Sequence, residues 1–441
     1  VAAEGLAAPA PAPPAAAPRR DAAPDEAPAT ATPWDDLVAQ ADKVEQAQAA
    51  QAPEAWVDDG SLPLEGDVLP MYLQDIHEER GAAYLIGRVP TPGGGSVSCC
   101  ATVADLVRNL FVVPRAGVVQ RTEELQDLER TWDQERLVED KVALLKHLHA
   151  LLGPLKAEVR QLLKGAGIST FTMVPVRRSY AFEEHHVPKG LQWVLKVKYP
   201  ATQPRLAEED CAGGEHYTAI FGANTPPLET LILKRRIMGP MWINLKQPTR
   251  VALHQQQVSW CKIEVQVSSP KHVSAPTGSA QDREVPQITV AALNLKTFIN
   301  PQTNSSEIVV ATVMYLKDVR TDGPTSRQQW NTMERLRHFS VVRRLENAAF
   351  PVGFEDEVRQ RNSSAVGRLN GGVVLSQQNS ERALLANLLA RLKQLDPDVL
   401  VGHNISGFDL DVLLRRMEKL KVPNWSRIGR LRRTTMPKLK S

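Results

Sequence analysis

The sequence predicts an α/β protein of several domains, with mixed sheets covered by helices, and three observations carry that prediction. Short apolar runs bounded by turn residues recur at 82–103 and 193–263 and read as strands. Charged stretches with apolar residues three and four apart recur at 121–163 and 381–395 and read as helices. The second of these helices runs straight into Asp396–Leu410, DPDVLVGHNISGFDL. That run reads as a short buried strand, a sharp polar turn, and a new helix that begins by presenting Asp409.

At 441 residues the chain is long enough for two or three domains. It opens on Val1 and stops after a basic run, and both ends read as those of a fragment. Residues 1–61 form an acidic tail dominated by Ala and Pro. Its scarce bulky apolar surface cannot offset ordering entropy, so the tail is expected to be disordered. Within it, Trp34–Glu54 has helical composition and reads as a short recognition helix.

Residues 62–284 read as a first domain. Two strands at 82–89 and 97–103 flank Pro90–Gly95, a hairpin with a glycine-rich turn. No GxxxxGK[ST] is present, so those glycines are not a phosphate cradle. Over 121–163, Val138, Val142, Leu145, Leu148 and Leu152 are expected to form a buried helical stripe. His147 and His149 lie two apart and diverge on a helix, which makes them a poor metal pair. Strands are expected at 193–199, 217–221, 241–245 and 258–263, with a helix at 227–236 that ends in Lys234, Arg235 and Arg236. Ser268–Gln281 reads as a linker.

Residues 285–441 read as a second domain. Strands at 288–295 and 306–314 join through a polar turn, and 355–380 reads as an exposed loop that contains Glu355, Asp356 and Glu357. The helix 381–395 buries Leu384, Leu385, Leu388, Leu389 and Leu392.

No apolar run reaches the ~18–20 residues of a membrane-spanning helix. Cys99, Cys100, Cys211 and Cys261 make no CxxC pair and read as reduced thiols, which argues against a zinc ribbon or iron–sulfur site. Residues 1–60 hold 3 Lys plus Arg against 11 Asp plus Glu, and the rest hold 50 against 39. A basic body of this kind fits a nucleic-acid partner.

Ser380–Leu385, Asp396–Phe408, Asn424–Arg433 and Met436–Leu439 together resemble the alpha-type catalytic subunits of the family B DNA polymerases. Met71–Tyr72, Ser98–Cys100, Tyr180–Glu183, Lys196–Tyr199, Phe221–Thr225 and Gly239–Trp242 agree with it, so the resemblance spans about Leu62 to Ser441. It implies an amino-terminal domain over 62–284. An RNase H-like 3′–5′ exonuclease-type domain would follow over 285–441, incomplete at its C-terminus. It also implies a nuclear protein that extends RNA–DNA primers on a DNA template with Mg²⁺, together with primase and an accessory B subunit. No SLYPS-like or DTD-like run is present, so this chain alone is not expected to polymerise DNA.

Two-metal hydrolysis needs several carboxylates around ions ~3.5–4 Å apart. In active exonucleases of this family, the first strand supplies an Asp-x-Glu pair on one face. The matching strand, 291–297, has Asn294 and Lys296 at those positions. Asn offers a neutral carbonyl and Lys a repelling charge, so Asp409 stands alone as a relic. No catalytic residue and no metal are assigned, and Asp409 is expected to cap its helix. The alternative is an active Mg²⁺-dependent exonuclease resting on Asp409 and the fold; a third reading is a plain interaction protein. For DNA contact the candidates are Arg427, Arg430, Arg432, Arg433, Lys438 and Lys440, with Trp425 as a stacking platform. Weaker candidates are His403 and Asn404 in the turn, Lys234–Arg236, and Arg343–Arg344.

Overall fold

A computed structural model describes residues 60–437 apart from 93, 181–184, 253–255, 279–282, 325–335, 346–347 and 370–371. The tail, its Trp34–Glu54 helix, and Lys438 and Lys440 lie outside the described residues.

β1 (Val68–Glu79), β2 (Ala82–Pro90) and β3 (Ser96–Val103) form an antiparallel meander. Leu69, Met71, Leu85, Val89, Cys99 and Ala101 of these strands share one core. β1 is bulged after Leu73, and across the bulge a Cβ on Gly87 would collide with the Tyr72 carbonyl oxygen. The chain then leaves this sheet through β4 (Val107–Pro114), α1 (Glu123–Glu135), α2 (Val138–Leu151), α3 (Gly153–Gly165), β5 (Thr172–Tyr180), β6 (Gly190–Pro200), β7 (Tyr217–Phe221) and α4 (Pro227–Arg235). It returns with β8 (Met241–Lys246), β9 (Thr249–Arg250), β10 (Ile263–Val267) and β11 (Val273–Ser274). A seven-stranded sheet results, in the order β11-β8-β1-β2-β3-β10-β9, with β10 parallel to β3. A second, antiparallel sheet runs β5-β6-β4-β7. Leu110, Val112, Leu195 and Val197 on one of its faces pack on Leu155, Val159 and Leu163 of α3.

The third sheet takes β12 (Ile288–Asn300), β13 (Ser305–Val319) and β14 (Arg337–Arg343). After α5 (Phe354–Ser363) and α6 (Ala365–Leu369) come β15 (Leu375–Gln378), α7 (Glu381–Leu395), β16 (Val399–Val401) and α8 (Leu410–Lys419). The order is β15-β14-β13-β12-β16, antiparallel at the centre and parallel at both edges. Ser380 caps α7 by accepting from the Ala383 N–H at 3.2 Å. Leu384, Leu385, Leu388, Leu389 and Leu392 then bury against β12–β14 and α8. Each such leucine contributes about 2 kcal/mol of transfer free energy.

Buried charge ties these elements together. Arg416 of α8 donates from Nε to Glu381 at 2.9 Å, and Glu381 also accepts from the Ile308 N–H at 2.7 Å. Arg343 donates to Glu307 and to the Ile308 carbonyl, both at 2.7 Å. Burial pushes the Glu307 carboxyl up. Hydrogen bonds from Asn300 and Arg343, with the charges of Arg343 and Arg416, outweigh burial and hold it below its ordinary value.

Five sequence expectations are corrected here. Val138 and Val142 are exposed; the buried stripe is Leu144 and Leu148, because α2 turns toward Leu125 of α1 and Trp193. The strand expected at 258–263 begins only at Ile263, since 258–259 bend around the buried Glu264 carboxylate. The linker at 268–281 starts as a short 3₁₀ turn followed by β11, which pairs with β8. The loop at 355–380 is mostly α5, α6 and β15, with Glu355, Asp356 and Glu357 in the first turn of α5, where they complement its dipole. Arg343 is buried in an ion pair and is no surface contact.

Candidate nucleic-acid interface and exonuclease-type site

The run 396–410 begins where α7 ends. Asp396 closes that helix in the left-handed conformation. β16 then pairs with β12 through Val290, Ala291 and Ala292. The strand is an edge, with Val399 and Val401 each 40% exposed, rather than the buried strand expected. Gly402 lies against the Leu293 carbonyl, where an added Cβ would stand 3.1 Å from the oxygen. Asn404 takes φ +51, a conformation asparagine tolerates better than most residues. Its side chain caps no backbone N–H of the turn that follows. His403 and Asn404 are exposed.

A single π turn, Ile405–Asp409, follows and packs against β12. Asp409 is 5% exposed, already helical in backbone, and caps nothing. The capping role expected for it is not seen: Asp409 stands just before the helix, but the π turn runs into α8 without a break, so its backbone is already helical rather than extended as a capping residue's is, and its carboxylate accepts no N–H of the first turn. On β12, Leu293 and Leu295 face the core while Asn294 and Lys296 alternate to the exposed side. Asn294 pairs with Thr312 and Lys296 with Val310, just before a bulge. Among the described residues, no group of three or more His, Cys, Asp or Glu is placed to hold a metal ion.

The basic segment 425–433 is turned inward. Trp425 packs against the core of the third sheet instead of standing open as a platform. Arg430 pairs with Asp396 and, at 3.2 Å, with Asp398. Arg427 and Arg432 lie 5.0 and 4.3 Å from the Trp260 ring centroid. Arg432 also donates to the Ser259 carbonyl at 2.8 Å and to Gln257 at 3.0 Å. Backbone bonds from Trp260 to the Arg430 carbonyl and from Arg432 to the Val258 carbonyl, both 2.8 Å, complete a clasp. Arg433 remains exposed, near His77 and Glu79. Of the weaker candidates, Lys234 and Arg236 are exposed and Arg235 is half-buried.

Sequence reasoning missed Asp398, whose side chain is 1% exposed. It accepts from Arg88 of β2 at 2.7 Å and from the Thr289 N–H at 2.8 Å, and it pairs with Arg430. It missed Trp260 and Glu264 as well. Their isolated acids and rings carry no local pattern, and only the buried carboxylate of Glu264, bonded by Val258, Ser259 N–H and the Ser259 hydroxyl, explains the loop. Burial pushes the Cys261 thiol beside this clasp up to about 11, so it stays protonated.

Residues 218–441 match the DNA polymerase family B exonuclease domain. The chain belongs to the family B DNA polymerases. It is 41% identical over 391 residues to the DNA polymerase alpha catalytic subunit of Oryza sativa subsp. japonica, covering 87% of this chain and 25% of that protein. The Arabidopsis thaliana subunit of the same name is 41% identical over 384 residues, covering 87% and 24%. That of Xenopus laevis is 33% identical over 408 residues, covering 90% and 25%. The chain thus spans about a quarter of the length of the curated relatives it matches. Among solved structures, the family B DNA polymerase from the archaeon Pyrobaculum calidifontis is similar over 80% of this chain and 33% of its own, at 14% identity and a TM-score of 0.40. Within the family, the relatives are of the alpha type that the tract 380–439 resembles.

Proposed function

We propose that this chain forms the amino-terminal and exonuclease-type portion of a polymerase alpha catalytic subunit, with an exonuclease-type site that no longer hydrolyses DNA. The observation that carries the reading is the outer face of β12, where Asn294 offers an amide and Lys296 an ammonium on the same exposed side. Two Mg²⁺ ions do not fit that set. One carboxylate is too little charge, and a lysine adds repulsion where cations need oxygen donors.

The whole protein would extend RNA primers with deoxynucleotides in the nucleus, working with primase and an accessory B subunit, and its Mg²⁺-dependent chemistry would reside outside these residues. The described portion would bind DNA and brace the rest: Asp398 holds Arg88 of the seven-stranded sheet and Arg430 of the clasp in one buried network.

A 5′-labelled single strand incubated with the chain and Mg²⁺ or Mn²⁺ tests the inactive site. No shortening is expected. Digestion that Asp409→Ala abolishes would return the site to the active exonucleases.

A further inference from the structure

One face of the four-stranded sheet packs on α3, and its other face, bordered by α4, carries chemistry that the exonuclease-type site does not use. By strand register, Phe111 of β4 and Phe221 of β7 sit opposite each other on that face. Lys196 of β6 lies beside Phe111 on the other side. Tyr180, at the end of β5, stacks on Phe221 with ring centroids 5.2 Å apart. Arg178 and Lys196 lie 5.7 and 5.8 Å from the Phe111 ring centroid. Val187, Val194, Val113 and Ala219 close one end of the face, while Phe111 and Lys196 stay half-exposed and Arg178 and Lys198 fully so.

Among the described residues, the charges named on this face are all positive. Lys234 stands in the last turn of α4, which packs beside β4. Burial and then the charges of Arg178 and Lys198 hold the Lys196 ammonium below its ordinary value. Lys234 is lowered by burial and then by Lys196, Lys198 and Arg235. Among the described residues, no carboxylate is ion-paired with Arg178, Lys196, Lys198 or Lys234. Cations gathered around an aromatic ring on an open sheet fit a polyanion whose units carry a flat base. Four strands at about 4.8 Å spacing give a platform about 15 Å wide, room for the two or three bases that such sheets stack.

We propose that this face binds an unpaired DNA strand, with a base stacked on Phe111 and phosphates paired with Arg178, Lys196, Lys198 and Lys234. The choice of DNA rests on the reading above, that the chain is part of a DNA polymerase. Arg178 and Lys196 have flexible stems, so each can leave the ring for a phosphate as a base arrives.

Fluorescence anisotropy of a short labelled oligothymidylate, titrated with the full chain over a range of salt, tests it. The triple variant Arg178→Gln, Lys196→Gln, Lys234→Gln is expected to bind about tenfold or more weaker, with a log–log salt slope reduced by about 2. Phe111→Leu keeps the apolar packing and is expected to lose about fivefold with the slope unchanged. Arg178 and Lys234 are exposed, Lys196 is half-exposed and none of the three is paired with a carboxylate among the described residues, so the thermal melt of the triple variant should overlay that of the parent chain. Equal affinity of parent and triple variant overturns this site while leaving the proposed function standing. Absence of any strand binding by the parent chain overturns both. Tighter binding of an oligouridylate of equal length overturns the assignment to DNA.

Discussion

In the segment 425–433, arginines beside aromatic rings point into the molecule; on the open face of β5-β6-β4-β7, cations beside Phe111 point out of it. The difference lies in partners. Arg430 has Asp396 and Asp398, and Arg432 has two carbonyl acceptors and the Trp260 ring. Arg178 and Lys196 have the Phe111 ring, Arg178 adds the Arg177 carbonyl at 2.7 Å, and no carboxylate is ion-paired with these two or with Lys198 among the described residues. A guanidinium already desolvated against a carboxylate gains little from a phosphate. A cation repelled by its neighbours gains the full attraction. Composition alone ranks 425–433 first as a DNA contact; under the proposal above, the pairing reverses that order.

The largest effect expected on this contrast comes from Asp398→Ala. It leaves Arg88 and Arg430 without their shared partner and the Thr289 N–H without its acceptor, at a cost of about 3–5 kcal/mol. Urea denaturation measures it; a loss below about 1 kcal/mol would mean that the clasp is a surface contact. Trp260→Ala removes the ring under Arg427 and Arg432 and the Nε1 bond to Ser426, and about 2 kcal/mol should go with it. If stability is kept, the two arginines are held by their other partners alone.

Arg343 and Arg416 belong to the inward class, and their pairing has a pH signature. Glu307 is held below its ordinary value of 4.5 in the folded chain. Its contribution is therefore complete above that value and is lost as pH falls through the lower folded value. Glu307→Gln should flatten the acid limb of stability below about pH 4.5. Superimposable acid limbs for variant and parent would detach Glu307 from the network. The smallest effect is expected on the outward side: Lys196→Gln should change stability by less than about 0.5 kcal/mol in the same denaturation assay. A larger loss would make Lys196 a structural residue and weaken the contrast.

Much of the fold is legible in the sequence. The hairpin at 82–103, the helices over 123–165 and the leucine face of α7 follow from periodicity, because those patterns are local. Edges were harder. Nothing in Val399–Val401 tells an edge strand from a central one, and an apolar run such as 258–263 looks like a strand wherever it falls. The helices in 355–369 escaped notice because few apolar residues mark them; Val358 is the one buried residue of α5. At the site, Asn294, Lys296 and Asp409 were recognisable as residues, but the π turn that carries Asp409 was not. A turn of five residues per hydrogen bond leaves no periodic trace in five positions.

Residue identity and short spacing set the lineage, the alternation of strands and helices, and the amide and ammonium that replace an acidic pair on β12. Which cations are already paired and which still face outward depends on the packed chain. Arg88 meets Asp398 across 310 residues of chain, and Arg432 meets Gln257 across 175. A charge is neutralised by what lies a few ångströms away in space, and sequence separation says little about that distance.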